Sequence, residues 1–318
     1  MRIQRSVPRA APSSTALTIG NFDGVHLGHQ AMLARLRAVA AGRGLEPCAM
    51  TFEPHPREFF APDQAPTRLT SLREKLALLE ANGVERVQVC RFDYRFAQTT
   101  AEDFIERILL KGLGARWILV GDDFRFGARR AGDFVMLKQH AARLGYEVEA
   151  MASVLHDGER VSSTAVRNAL AAGELDRAAE LLGRPYSISG RVVHGDGLGR
   201  KLGFPTANVQ MKHNRPPLFG IYAVELAGVE AVPLRGVASL GVRPTIKAGG
   251  RPVLEVHVFD WSASLYGRHV RVDFLRKLRD EEKYVDLATL SRQIALDVEH
   301  ARDYFHARDA AALRAARG

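Results

Sequence analysis

The sequence predicts an α/β domain with a parallel sheet, followed by an antiparallel β-barrel that ends in a helix. Three observations carry this. Apolar, strand-like runs alternate with helical patterns from residue 16 to 183, the mark of a parallel sheet covered on both faces. Gly183-Arg184-Pro185 then breaks the last of these helices. From 187 to 274, short β-rich runs follow one another between Gly and Pro, as in an antiparallel barrel. The expected organisation is a short flexible extension over 1–15, an α/β domain over 16–183 and a barrel domain with its C-terminal helix over 184–318. A length of 318 residues suits two medium domains.

Taken in order, residues 1–14 are basic and contain Pro without an apolar core, so they are no secretory signal. Residues 16–19 form a short apolar strand ending in Gly20. From Gly28 onward Met32, Leu33, Leu36 and Val39 recur at helical spacing, so TIGNFDGVHLGHQ at 18–30 reads as strand, turn, helix. A buried strand feeding a helix N-terminus presents unpaired N–H groups and the positive end of the helix dipole, which suits a phosphate. His26 and His29 can both point into that phosphate site. Gly28 removes a Cβ where a triphosphate would approach the backbone. A strand at 47–52 leads into Glu53-Pro54-His55-Pro56, and 72–82 is an amphipathic helix before a strand at 84–91. Thr100 can cap a helix over 101–111, closed by Gly112. A strand at 116–120 runs into GDDFRFG at 121–127; 133–144 is helical, 146–150 strand and 175–182 helix. Gly20, Glu53 and Gly121 all fall at carboxyl ends of strands, where ligands sit in such sheets. Ser162 or Ser163 can cap the next helix, while Arg167, one turn in, could instead swing onto phosphate oxygens.

Beyond the break, β-rich runs lie at 187–193, 221–226, 235–240, 253–259 and 269–274, and the helical pattern resumes at 287–306. Among them stands GRKLGFPTAN at 199–208. Thr206 and Asn208 offer hard oxygen donors of the kind magnesium takes. Glu255 lies in an alternating strand and on alternation alone faces solvent. There is no Walker A sequence, which excludes a P-loop kinase, and no GxGxxG.

Composition narrows the partners. No run approaches the roughly 18 apolar residues of a membrane span. Cys48 and Cys90 are too few for a disulfide framework or a Cys-rich zinc site and fit a reducing cytoplasm. The net charge of +9, from 45 Lys and Arg against 36 Asp and Glu, is scattered, with Arg129-Arg130 among the few tight clusters. It suits a protein handling phosphorylated small molecules and needs neither nucleic acid nor membrane.

The motifs together resemble the bacterial bifunctional riboflavin kinase and FAD synthetase family. Gly20, Phe22, Asp23, Gly24, His26, Gly28 and His29 match its N-terminal signature; VSSTAVR at 161–167 is similar to its second, and GFPTAN to that of riboflavin kinases. The resemblance spans roughly residues 16 to 306. It implies a Rossmann-like nucleotidyltransferase domain that adenylylates FMN to FAD, and a riboflavin kinase barrel that makes FMN, both using Mg²⁺-ATP. It implies that His26, His29 and Arg167 bind ATP and act in catalysis, with Gly20, Asn21, Phe22, Asp23, Gly28, Ser162, Ser163 and Thr164 lining the nucleotide. Asn21 and Asp23 could hold the nucleotide or the metal. His55, Asp123, Phe124 and Phe126 become flavin-site residues, the aromatic rings covering an isoalloxazine face. In the barrel, Gly199, Lys201, Gly203 and Pro205 wrap the nucleotide, Thr206 and Asn208 coordinate Mg²⁺, Glu255 is the catalytic base and Arg279 contacts the ligand. Asp123 stands where the family commonly has an amide. Three alternatives remain: another HxGH nucleotidyltransferase, which would lack the GFPTAN barrel; a basic nucleic-acid-binding protein with an inactive transferase fold; and loss of activity in one module, against which each retains the residues expected to do its work.

Overall fold

A computed structural model describes residues 1–213, 215–242 and 252–316. They fall into two compact units, Met1–Pro66 with Thr70–Ser163, and Thr67–Leu69 with Thr164–Gly318. The division comes earlier than the expected break at Gly183: the helices α7 (Ser163–Ala172) and α8 (Leu175–Leu182) lie almost wholly in the second unit, where α8 packs on barrel strands.

In the first unit, β1 (Arg2–Gln4), β2 (Thr15–Ile19), β3 (Glu46–Glu53), β4 (Arg86–Arg91), β5 (Ala115–Gly121) and β8 (Glu147–Met151) form a six-stranded parallel sheet. Its order is β1-β4-β3-β2-β5-β8. The chain leaves β2 toward β3 and β4 on one side and returns to β5 and β8 on the other. The order therefore reverses at β2, and the crevice for a ligand opens beyond the carboxyl ends of β2 and β5. Alternation along each strand serves two cores. Ala16, Ala49, Val87, Trp117 and Leu119 pack under α1 (Leu27–Arg43) and α3 (Leu72–Ala81) through Leu33, Leu36 and Leu79. Leu17, Met50, Ile118 and Val120 face the other way, against Phe104, Ile105 and Leu109 of the helical stretch after α5 (Ala101–Asp103) and Leu137 of α6 (Phe134–Leu144). Two short ribbons, β6 (Arg125–Phe126) with β7 (Gly132–Asp133) and β9 (Leu155–His156) with β10 (Glu159–Arg160), decorate the sheet's loops.

The first fifteen residues differ from the expected flexible extension. β1 pairs with β4 in register Arg2↔Arg86 and Gln4↔Gln88. Side chains secure it: Arg86 Nε donates to Gln4 Oε1 at 3.0 Å, and the Glu46 carboxylate accepts from Arg2 and Ser13.

The second unit is a closed antiparallel barrel, β11 (Tyr186–Val193), β12 (Ala207–Gln210), β13 (Gly220–Ala227), β14 (Leu234–Val242), β15 (Pro252–Val258) and β16 (His269–Arg279). Strands connect round the wall in the order β11-β12-β15-β14-β13-β16. The C-terminal helix α10 (Leu287–Ala315) covers the outer face of β13, β14 and β16, burying Ala301 and Phe305 against Ile221, Ala223, Val237 and Leu275. Of Gly241-Val242-Arg243-Pro244-Thr245, a string that also resembles the family's sequence, residues 243–245 lie outside the described residues.

Candidate active sites

The turn from β2 into α1 is held in an unusual conformation. Phe22 and Val25 have φ of 49° and 41°, left-handed for side-chain-bearing residues and an outlier for a β-branched one. Such strain persists where the surroundings over-determine it. Here Asp23 Oδ1 accepts from the Thr70 N–H and hydroxyl, both at 3.0 Å, Gly24 N–H donates to Thr70 Oγ1 at 3.2 Å, and the Ser163 hydroxyl donates to the Asp23 carbonyl at 2.9 Å. The Phe22 ring, fully buried, fills the space beneath; a Cβ on Gly20 would lie 3.3 Å from it.

Above this platform His26 caps α1, its Nδ1 accepting from His29 N–H at 3.4 Å. The two rings stack with centroids 3.8 Å apart and planes 23° from parallel. A Cβ on Gly28 would press on the His26 ring at 3.2 Å, so the middle glycine is what lets the rings stack. Burial, and then the neighbouring His26 and Lys75, hold His29 well below the usual imidazole value, so its ring is neutral at neutral pH. His29 Nδ1 and Asn21 Oδ1 are buried without a hydrogen-bond partner. Buried polar atoms left open at a helix N-terminus, at the carboxyl end of a sheet's switch strand, are what a phosphate-bearing ligand can satisfy.

Two other loops share that sheet edge. After β3, His55 caps α2 (Pro56–Phe60): its Nδ1 accepts from Arg57 N–H at 3.1 Å, and Glu58 accepts its own N–H at 3.2 Å. After β5, Asp123 accepts from Arg160 at 3.0 Å, and Phe124 stacks on Phe126 at 5.5 Å. Phe126 in turn packs on Phe104 at 5.2 Å. Gly127, at φ 71°, brings this loop onto the start of α5, where a Cβ would lie 2.8 Å from Ala101 N and Cα.

The barrel holds a second polar site. The segment between β11 and β12 turns through Gly197 and the short helix α9 (Leu198–Lys201), and Phe204 N–H closes back on Gly199 O at 2.8 Å. A Cβ on Gly199 would strike the Phe204 carbonyl and lie 3.3 Å from Thr206 Oγ1; one on Gly195 would strike the Asn208 amide. The chain therefore wraps closely round exactly the two hard oxygen donors. Pro205 O accepts from His257 Nδ1 at 2.9 Å, and Lys201 is exposed. Asn208 stands directly opposite Glu255, and Glu255 opposite Ser239, across β12, β15 and β14. Cross-strand partners share a face, so the three side chains form one row on the outside of the barrel wall.

Residues 9–165 match the FAD synthetase family and residues 182–305 the riboflavin kinase family. The chain is 49% identical over 300 residues to the bifunctional riboflavin kinase/FMN adenylyltransferase of Escherichia coli K12, an alignment covering 94% of this chain and 96% of that protein. The chain belongs to the bifunctional riboflavin kinase/FMN adenylyltransferase family. The Pseudomonas fluorescens enzyme of this name is 50% identical over 285 residues, covering 90% of this chain and 91% of its own. A solved Streptococcus pneumoniae structure titled a macrolide-efflux protein superposes with a TM-score of 0.81 at 29% identity, over 95% of this chain and 99% of that one. Among the described residues no helix is long and apolar enough to cross a membrane.

Within this family's two sites, several sequence expectations need correction. Phe22 cannot line a nucleotide, because its ring is wholly buried. Asp23 holds Thr70 with its carboxylate and so shapes the turn. Phe126 is a core residue, packed with Phe104. Arg279 does not offer a free fork: Asp297 takes it bidentately, with both bonds at 2.7 Å. Ser163 serves the turn, Thr164 is exposed on α7, and Arg167 Nε donates to Thr67 O at 2.6 Å within the second unit. Sequence reading missed an aromatic set beside the β3 loop. Phe92 meets Phe59, Phe60 and Phe96, each at 5.6 Å, and Phe52 at 6.0 Å, and Phe60 is 66% exposed. The adjacent pair Phe59-Phe60 after the Pro-His-Pro turn was its one local signal.

Proposed function

We propose that the two activities of this bifunctional enzyme are divided between its units, with the α/β unit adenylylating FMN and the barrel phosphorylating riboflavin. The observation that carries the first is the stacked pair His26, buried, and His29, half-buried, at the N-terminus of α1. An oxygen of the FMN phosphate attacks the α-phosphorus of ATP, the bond to the bridging oxygen breaks, and pyrophosphate leaves. The reaction asks for alignment and charge stabilisation rather than an enzyme nucleophile. The rings of His26 and His29 donate hydrogen bonds to the phosphate oxygens, joined by the N–H groups of the first helical turn. The exposed Phe60 and its neighbours support a flavin-covering surface.

In the barrel, Glu255 accepts the proton of the ribityl 5′-hydroxyl as its oxygen attacks the γ-phosphorus and ADP departs. Thr206 and Asn208, cradled where Gly199 and Gly195 leave room, would hold the Mg²⁺ of Mg-ATP, which neutralises phosphate charge. Gly199, Lys201, Gly203 and Pro205 form the wrap round the nucleotide. The substrates are riboflavin, FMN and ATP, with no nucleic acid partner, and two buried thiols suit the cytoplasm.

Incubation with riboflavin and Mg-ATP, followed by chromatography of the flavins, tests this. FMN appears and then FAD; His29→Ala stops the course at FMN, whereas Glu255→Gln or Asn208→Ala blocks FMN formation and leaves added FMN convertible. FAD formed at the normal rate by His29→Ala would overturn the first assignment.

A further inference from the structure

Past the end of β16, the Glu281 carboxylate folds down onto β14. It occupies the space in which a side chain on Gly241 would stand, accepts from the Ser239 hydroxyl at 3.4 Å and takes the Val242 N–H as well. Ser239 is the register partner of Glu255, and Glu255 of Asn208. On the other side, Arg279 fastens the same segment to Asp297 of α10. We propose that Glu281 is a positioning residue of the kinase site: lodged in the notch Gly241 leaves, it fixes Ser239 beside Glu255 and pins the segment after β16 to the wall bearing the base. This rests on reading Glu255 as the base. Burial raises the Glu281 carboxyl above its usual value, while Ser239, the Val242 N–H and Arg279 draw it back. The contact is thus a seat with matched donors, and Gly241 is the position that makes the seat possible.

The test is steady-state riboflavin phosphorylation by the full chain. Glu281→Ala is expected to lower kcat about tenfold, the scale of lost hydrogen bonds in a reacting geometry, with KM for ATP within about twofold. Glu281→Gln, which keeps the side chain's shape and one accepting oxygen, restores part of the rate. Gly241→Ala evicts the carboxylate and reproduces the loss, and in the Gly241→Ala/Glu281→Ala pair the two losses do not add. Should Glu281→Ala misfold, Ser239→Ala replaces it and is expected to lower kcat in the same way. Unchanged kcat in Glu281→Ala, or a Gly241→Ala penalty just as large without the carboxylate, overturns the inference. Full activity in Glu255→Gln would instead overturn the base assignment, so the two failures are told apart.

Discussion

His29 shows how a single side chain ties the site to stability. Its imidazole is held below the value of 6.5 that it has when exposed. Between the folded and unfolded values the unfolded chain binds more protons, so stability rises with pH there. The contribution is complete above about pH 7 and is lost as pH falls through the window below 6.5. Urea midpoints measured from pH 8 down to 5 should fall below that point, and His29→Asn should flatten the acid limb. Cys48 and Cys90 are pushed up to about 12 by burial. The thiolate is the reactive form, so a thiol reagent at pH 8 should label neither in the folded enzyme and both after unfolding.

At the scale of elements, the ion pair at the end of β16 governs how the last helix is attached. Asp297 is nearly inaccessible, with a side-chain exposure of 5%. Removing its partner leaves a buried carboxylate held only by the Gln293 amide, so Arg279→Ala should cost about 3 kcal/mol in chemical denaturation, with Arg279→Lys intermediate because the fork is lost but the charge stays. Gly127→Ala should cost about 2 kcal/mol or more by the same measurement, since φ 71° and the Ala101 backbone both oppose a Cβ. These elements were legible to different degrees. The sheet strands and the long helices announce themselves by period, and the observed β3, β5, α8 and α10 fall where the pattern puts them. β1 has three residues, too few for a period to emerge, and its pairing depends on Arg86, far along the chain. Motifs singled out candidate residues for both sites, but not which way each points. Phe22 and Phe126 sit in signatures yet serve the core, and Arg279 belongs to a helix contact visible only when Asp297 is brought beside it.

For the whole molecule, the relevant fact is that each unit carries a complete core and its own polar site. Each core closes without side chains borrowed for catalysis, so damage to one chemistry should leave the other running. FMN supplied to Asn208→Ala should become FAD at the parental rate, and riboflavin given to His29→Ala should accumulate as FMN, both followed by flavin chromatography.

The short first strand has a consequence of its own. Residues 2–4 occupy the outer rim of the sheet, where they satisfy the backbone of β4. Trimming the chain back to Arg5 would uncover a ladder of vacant amides and carbonyls beside a guanidinium deprived of Gln4, and naked rims of this kind recruit strands from other molecules. The shortened protein should therefore sediment as concentration-dependent aggregates.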